Sequence, residues 1–164
     1  MPELPEVAGL ARFLDEQLRG TVVAKLQIVS FAVLKTADPP YNALEGRSVT
    51  GVRRFGKFIS IDTDGISLVF HLARAGWLRF TDSPADSQLK MGKGLIAVRC
   101  AFTGPDGPRG FDLTEAGTKK SLAVYVVHDP QEVPGIATLG PDPFTDAFDA
   151  GMLAEILAGS SQQI

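Results

Sequence analysis

Short runs of β-branched and aromatic residues, each broken off by glycine or a polar turn, fill the middle of this chain and constrain its fold more than any other feature. They occupy 22–31 (VVAKLQIVSF), 48–54, 57–62 (KFISID), 66–71 (ISLVFH), 77–81 (WLRFT), 95–102 (LIAVRCAF) and 120–128 (KSLAVYVVH). Runs of this length and composition read as strands, and their regular spacing predicts a β-sandwich or barrel. The triplet TDG at 63–65 predicts a tight hairpin turn, and TGPDGPRG at 103–110 a longer one. The polar, strand-poor stretch from Ser83 to Gly94 reads as a mobile loop.

Helices are expected at the two ends. From Pro5 to Leu18, Val7, Leu10, Leu14 and Leu18 recur at helical spacing, with proline in the first turn and Gly20 as a stop. Near the other end GPDPF (140–144) marks a turn, and DAFDAGMLAEILAG has the pattern of a second helix closing at Gly159. The expected architecture is mainly β, a two-layered sandwich with an N-terminal and a C-terminal α-helix. Residues 1–159 form one domain, and 160–164 (SSQQI) read as the start of a linker.

Composition removes several function classes. The chain has 164 residues and 45% apolar content, enough for one real core, and no apolar run reaches the roughly 18 residues of a membrane span. The N-terminus lacks the basic and apolar regions of a signal peptide, so the expected compartment is the cytosol, in bacterial terms with the nucleoid, and the expected state a monomer. The single cysteine, Cys100, excludes an internal disulfide and a multi-cysteine zinc site, and its apolar neighbours predict a packed thiol. His71 and His128 each end a strand-like run without a second ligand at metal spacing, so no metal is expected. There is no glycine-rich phosphate loop, no HExxH and no GxSxG. The formal charge of −3 conceals a partition: Arg19 to His128 carry 15 Lys and Arg against 9 Asp and Glu, while the remaining ends carry 1 against 10. Such central basic charge suits a polyanionic partner if it gathers on one face.

The chemistry is concentrated at the N-terminus, MPELPEV. A small second residue permits removal of Met1, which leaves Pro2 with a free secondary amine. An α-amino group titrates near about 7.7–8.0, against about 10.4 for lysine, so much of it is neutral and nucleophilic at physiological pH. Condensation of a secondary amine with an aldehyde carbon yields a cationic iminium, because the nitrogen has no second proton to lose. That cation is an electron sink. Glu3 and Glu6 follow in the first helical turn, where a carboxylate can move protons or simply favour the helix dipole.

MPELPEV followed by a helix, then RRFGKF, HLARAGWLRF and LGPDPF in this order resembles the formamidopyrimidine-DNA glycosylase/endonuclease VIII family across essentially the whole chain. The resemblance implies a two-layered β-sandwich flanked by helices, agreeing with the strand pattern. It implies an enzyme of base-excision repair that removes oxidised bases and cleaves the strand by β-elimination, with damaged double-stranded DNA as partner. By resemblance Pro2 attacks C1′ of an extruded nucleotide, Glu3 handles protons at the opening sugar, and Lys57 contacts phosphate and assists strand cleavage. His71, in HLARAG, matches the histidine of the family's HLGMSG segment and would help hold the DNA backbone. Glu6, Arg54, Arg74, Lys119 and Lys120 complete the expected DNA contacts. No metal or organic cofactor is expected in this chain, since the family's zinc finger lies in a C-terminal part.

Three departures stand out. Arg74 occupies the position of the methionine that wedges into the gap left by the extruded base; arginine can stack on bases and bond their edges. In FDLTEAGTKK, matched against the family's DxRRFG loop, Asp112 and Gly117 agree, whereas Thr114 and Ala116 replace arginine and phenylalanine. The family's helix-two-turns-helix module and finger do not follow SSQQI. A second reading is therefore a non-catalytic DNA-damage-binding or protein-docking domain with the same fold; a third is a general β-sandwich interaction protein.

Overall fold

A computed structural model describes residues 2–162; Met1 and the last two residues of the expected linker lie outside the described residues. Helix α1 (Leu4–Leu18) is followed by β1 (Val22–Ile28), β2 (Val49–Phe55), β3 (Phe58–Thr63), β4 (Ser67–His71), β5 (Gly76–Thr81), β6 (Ile96–Gly104), β7 (Gly107–Glu115) and β8 (Ala123–Val127). Two short helical segments, α2 (Pro134–Ala137) and α3 (Ala150–Ala158), close the chain. The strands form two antiparallel four-stranded sheets, ordered β1-β6-β7-β5 and β2-β3-β4-β8. This is the expected sandwich with a helix at either end.

The sheets meet through alternate side chains, as a period-2 pattern requires. Leu26, Val98, Cys100, Phe102, Phe111 and Leu113 of the first sheet share one core with Ile59, Ile61, Leu68, Phe70, Val124 and Val126 of the second. The Phe70 and Phe111 rings sit 6.0 Å apart. Helix α1 adds its apolar stripe of Val7, Ala11, Leu14 and Leu18 to the same core. The continuous apolar run of β4 has a separate cause: Val69 joins Val127, Val133 and Ile136 in a second cluster, so both faces of this central strand are covered. Cys100 is fully buried, and burial first, then Asp112, pushes its thiol pKa well above the ordinary value, as expected of a packed side chain.

Two expectations need correction. The long turn over 103–110 is a tight one: β6 and β7 pair out to Gly104 and Gly107, with only Pro105 and Asp106 between them. Accordingly Phe111–Glu115, assigned by sequence to a probing loop, lies inside β7 between β6 and β5, and the loop proper runs over 116–122. Asp112 is committed to a bidentate pair with Arg99 at 2.7 and 2.8 Å, and Thr114 Oγ1 donates to the Trp77 carbonyl. The 83–94 stretch is irregular as expected, yet tethered: Gln27 accepts from Leu89 N and donates to Ser87 O, and Gly92 N donates to Val29 O.

Glu115 terminates β7 as a fully buried carboxylate. Its Oε1 accepts from Ser121 N (2.8 Å), Ser121 Oγ (3.2 Å) and Leu122 N (3.0 Å), while Oε2 has no partner among the described residues. The side chain thus ties both ends of the 116–122 loop together. Glu115→Ala strips buried donors of their acceptor and is expected to lower stability by about 2–3 kcal/mol. Glu115→Gln, which keeps one oxygen, should cost about half as much. Urea unfolding of the two variants checks the ranking, and equal losses would show that volume, not acceptance, matters there.

Candidate active site

The first turn of α1 organises the N-terminal residues. Glu3 is the N-cap in an extended conformation, Pro5 lies in the first turn, and Glu6 Oε2 accepts from Glu3 N at 2.6 Å. One predicted contact, Glu6, is therefore also a helix-start fastener. Half-buried Pro2 stands immediately ahead of this turn. Its nitrogen is an amide while Met1 is attached and an amine once Met1 is removed.

Lys57 reaches the same place from the second sheet. Phe55 and Phe58 close a two-residue hairpin, with Gly56 at φ +57°, a backbone conformation that favours glycine. This puts Lys57 at the tip, where its Nζ lies 3.1 Å from Glu3 Oε2. With the Glu3 carboxylate 64% exposed, the pair is worth about 0–1 kcal/mol, so an incoming phosphate can draw the lysine away at little cost.

His71 ends β4 opposite Phe58, and the two rings lie 4.7 Å apart, tilted at 57°. Its Nδ1 accepts from Ala73 N at 3.0 Å, which requires that nitrogen to be unprotonated. Burial, and then the nearby Lys57 charge, hold its pKa below the ordinary value. The bond starts a sharp turn over 72–76, in which Ala73 takes φ +55° and exposed Arg74 projects from the tip. Gly76 closes the turn by donating to Leu72 O at 3.0 Å; a Cβ there would sit 2.3 Å from that oxygen, so glycine is required.

Between α1 and this turn lies a cleft of about 500 Å³ lined by Pro2, Glu6, Leu10, Leu72, Arg74 and Trp77, among others. A larger polar groove, about 600 Å³, is lined in part by Arg19, Arg53, Asp62 and His128 and contains none of these N-terminal groups. Its two arginines are already paired with Asp15 and Asp62. Only the smaller of these two clefts is lined by candidate N-terminal groups.

The structure thus brings Pro2, Glu3, Glu6, Lys57, His71 and Arg74 to one region. Arg54 is differently placed: its guanidinium is largely buried, bonded to Asp142 at 2.5 Å and to Gly56 O at 3.0 Å, and lies over the Phe144 ring. It fastens the 140–144 turn to the Lys57 hairpin and is not presented to a partner. Lys120 Nζ donates to Glu115 O at 2.7 Å and so helps shape the loop on which Lys119 is exposed. Sequence reasoning missed Glu115, Asp142 and Trp77; only Trp77, as an aromatic beside the HLARAG turn, carried a local signal. Among the described residues no group of three or more His, Cys, Asp or Glu side chains is placed to hold a metal ion, and no helix is long and apolar enough to cross a membrane.

Fold and site together define a helix-fronted β-sandwich in which Glu3, the helix N-cap that follows Pro2, meets a hairpin lysine. The family model described as formamidopyrimidine-DNA glycosylase N-terminal domain matches residues 1–115, and the chain belongs to this family. The formamidopyrimidine-DNA glycosylase of Moorella thermoacetica is 33% identical over 169 residues, spanning 100% of this chain and 58% of that protein. That of Legionella pneumophila strain Paris is 29% identical over 171 residues, with 100% and 57% covered. In fold, the chain is similar to the crystal structure of Lactococcus lactis formamidopyrimidine-DNA glycosylase bound non-covalently to DNA containing an AP site. The TM-score is 0.79 at 21% identity, covering 99% of this chain and 60% of that one. The chain therefore spans less than two thirds of the length of these relatives.

The His71 environment makes a titration prediction. A pKa depressed below about 6.5 means that the stability contributed by neutral His71 is fully present above that pH. It declines as pH falls from there through the folded-state value. Imidazole NMR should place the pKa below 6.5, and Lys57→Gln should raise it part-way, since burial, the larger cause, remains. An unchanged value in Lys57→Gln would show that the lysine charge is not felt at the ring.

Proposed function

We propose that this chain carries the catalytic chemistry of a bifunctional DNA glycosylase and AP lyase of base-excision repair, acting in the cytosol on damaged double-stranded DNA of the nucleoid. The observation that carries the reading is the convergence of Pro2, Glu3 and Lys57, with Lys57 Nζ 3.1 Å from Glu3 Oε2, beside a cleft that Pro2 lines. Family membership supports it independently. Residues 1–159 supply this domain, with 160–164 leading away from it, and no cofactor is invoked.

In the proposed reaction Met1 has been removed and Pro2 N attacks the sugar C1′ of an extruded nucleotide. The glycosidic bond breaks with its electron pair on the departing base, which is protonated. Glu3 relays a proton to the ring oxygen as the sugar opens, leaving a Pro2–C1′ iminium. Loss of a C2′ proton into this electron sink expels the 3′ phosphate by β-elimination, and water then releases Pro2. Lys57 holds phosphate at the hairpin tip, and Arg74 enters the gap left by the base. Lys119 adds a backbone contact from the 116–122 loop.

The alternative, a binding module without turnover, is favoured by one observation: Asp112 and Thr114 are occupied within β7, so this segment offers no arginine to the opposite strand. Borohydride trapping separates the two. The Met1-processed chain on an abasic-site duplex at low salt is expected to form a covalent adduct that N-terminal acetylation abolishes. Salt-sensitive binding without any adduct would overturn the lyase reading in favour of the binding module. Lys57→Ala should slow strand cleavage more than it weakens lesion binding, and equal loss of both would refute the role given to that lysine.

A further inference from the structure

Resting on that reading, we infer that Trp77 is the stacking wall for the extruded base and so a specificity-determining residue of this chain. The base is bonded to the carbon that Pro2 attacks, so before bond cleavage it must occupy space bordering Pro2. The cleft shared by Pro2 and Trp77 is that space. Val7, Leu10, Leu72 and Leu78 give it apolar walls, which suit the faces of a flat heterocycle, and Glu6 and Arg74 add polar groups that can bond its edges.

The indole is disposed for such a role. Trp77 is 40% exposed near the start of the edge strand β5, whose next residue, Leu78, packs against the core. Its ring is absent from the aromatic pairs formed among the described residues. Its backbone is in register with Thr114 and accepts from Thr114 Oγ1. The strand is held firmly there because Gly76 lets the preceding turn close against Leu72 and Leu122. A large aromatic surface on a rigid strand, left open beside the nucleophile, is the arrangement that base stacking uses.

Trp77 is also the sole tryptophan, so its emission reports the contact directly. The chain that retains Met1 cannot form the iminium and leaves the base in place during measurement. It is titrated with two duplexes identical except at one position, a formamidopyrimidine nucleotide in one and a tetrahydrofuran abasic analogue in the other. Emission is expected to be quenched by the first and nearly unchanged by the second. Trp77→Ala should weaken binding of the base-bearing duplex by about 5- to 150-fold, leave the abasic duplex within about 2-fold, and be rescued by Trp77→Phe. Thermal melting verifies that each variant is folded. Equal quenching by both duplexes, or equal loss of affinity for both in Trp77→Ala, would overturn the assignment and make Trp77 a general duplex contact. A processed chain that traps normally while its tryptophan ignores the base refutes this inference alone; a chain that neither traps nor binds refutes the parent reading as well.

Discussion

The seating of α1 on β2 fixes everything at the site. Two hydrogen bonds link the helix and its N-cap to β2 and the hairpin that follows, Asp15 with Val52 and Glu3 with Lys57. From Glu3 to Asp15 the helix rises about 18 Å at 1.5 Å per residue. From Val52 the strand runs about 10 Å, at roughly 3.3 Å per residue, to Phe55, where the hairpin carrying Lys57 begins. With the helix anchored near its C-terminal end at Asp15, its N-cap Glu3 comes to the hairpin tip. The anchor is well made: Asp15 Oδ1 accepts from Val52 N at 2.7 Å, and Arg19 bonds both Asp15 and the Thr50 carbonyl. Burial works against the Asp15 charge, but Val52 N and Arg19 outweigh it and hold the carboxyl below its ordinary pKa.

Where local pattern and tertiary structure agree, the chain could be read directly. The stripe of Val7, Leu14 and Leu18 predicts α1 because the same residues are buried, and the runs at 57–62 and 66–71 become β3 and β4 almost unchanged. β7 escaped because GPRGFDLTE has two glycines, a proline and few β-formers. It is a strand through its position between β6 and β5, where neighbours override propensity. Gly110 is itself a consequence of that position, since a Cβ would lie 2.6 Å from the Cys100 carbonyl.

The site was legible to the extent that its residues sit in recognisable segments. Pro2, Glu3, Lys57 and His71 could be named from MPELPEV, FGKF and HLARAG, although nothing local states that Lys57 and Glu3, 54 residues apart, should touch. Long-range pairs were invisible for the same reason. Arg54 looked like one more basic residue of RRFGKF, yet its partner Asp142 lies 88 residues further on. Glu115 carried no local signal and is fully buried, and the groups that donate to it, Ser121 N and Leu122 N, come from the far end of the loop it closes.

The ion pairs also decide how this molecule looks from a distance. Arg19, Arg53, Arg54, Lys57, Arg99 and Arg109 each have a carboxylate within 4 Å, so six of the 15 central cations are paired where they stand. The uncompensated remainder is set against acidic ends and a net charge of −3. Beyond a Debye length of about 8 Å a polyanion would meet little attraction, and only at contact would Arg74 and Lys119 be felt. For the polyanionic partner proposed above, a net charge of −3 predicts weak long-range steering, with encounter rates nearer the neutral range of roughly 10⁵–10⁶ M⁻¹s⁻¹ than the electrostatically accelerated one.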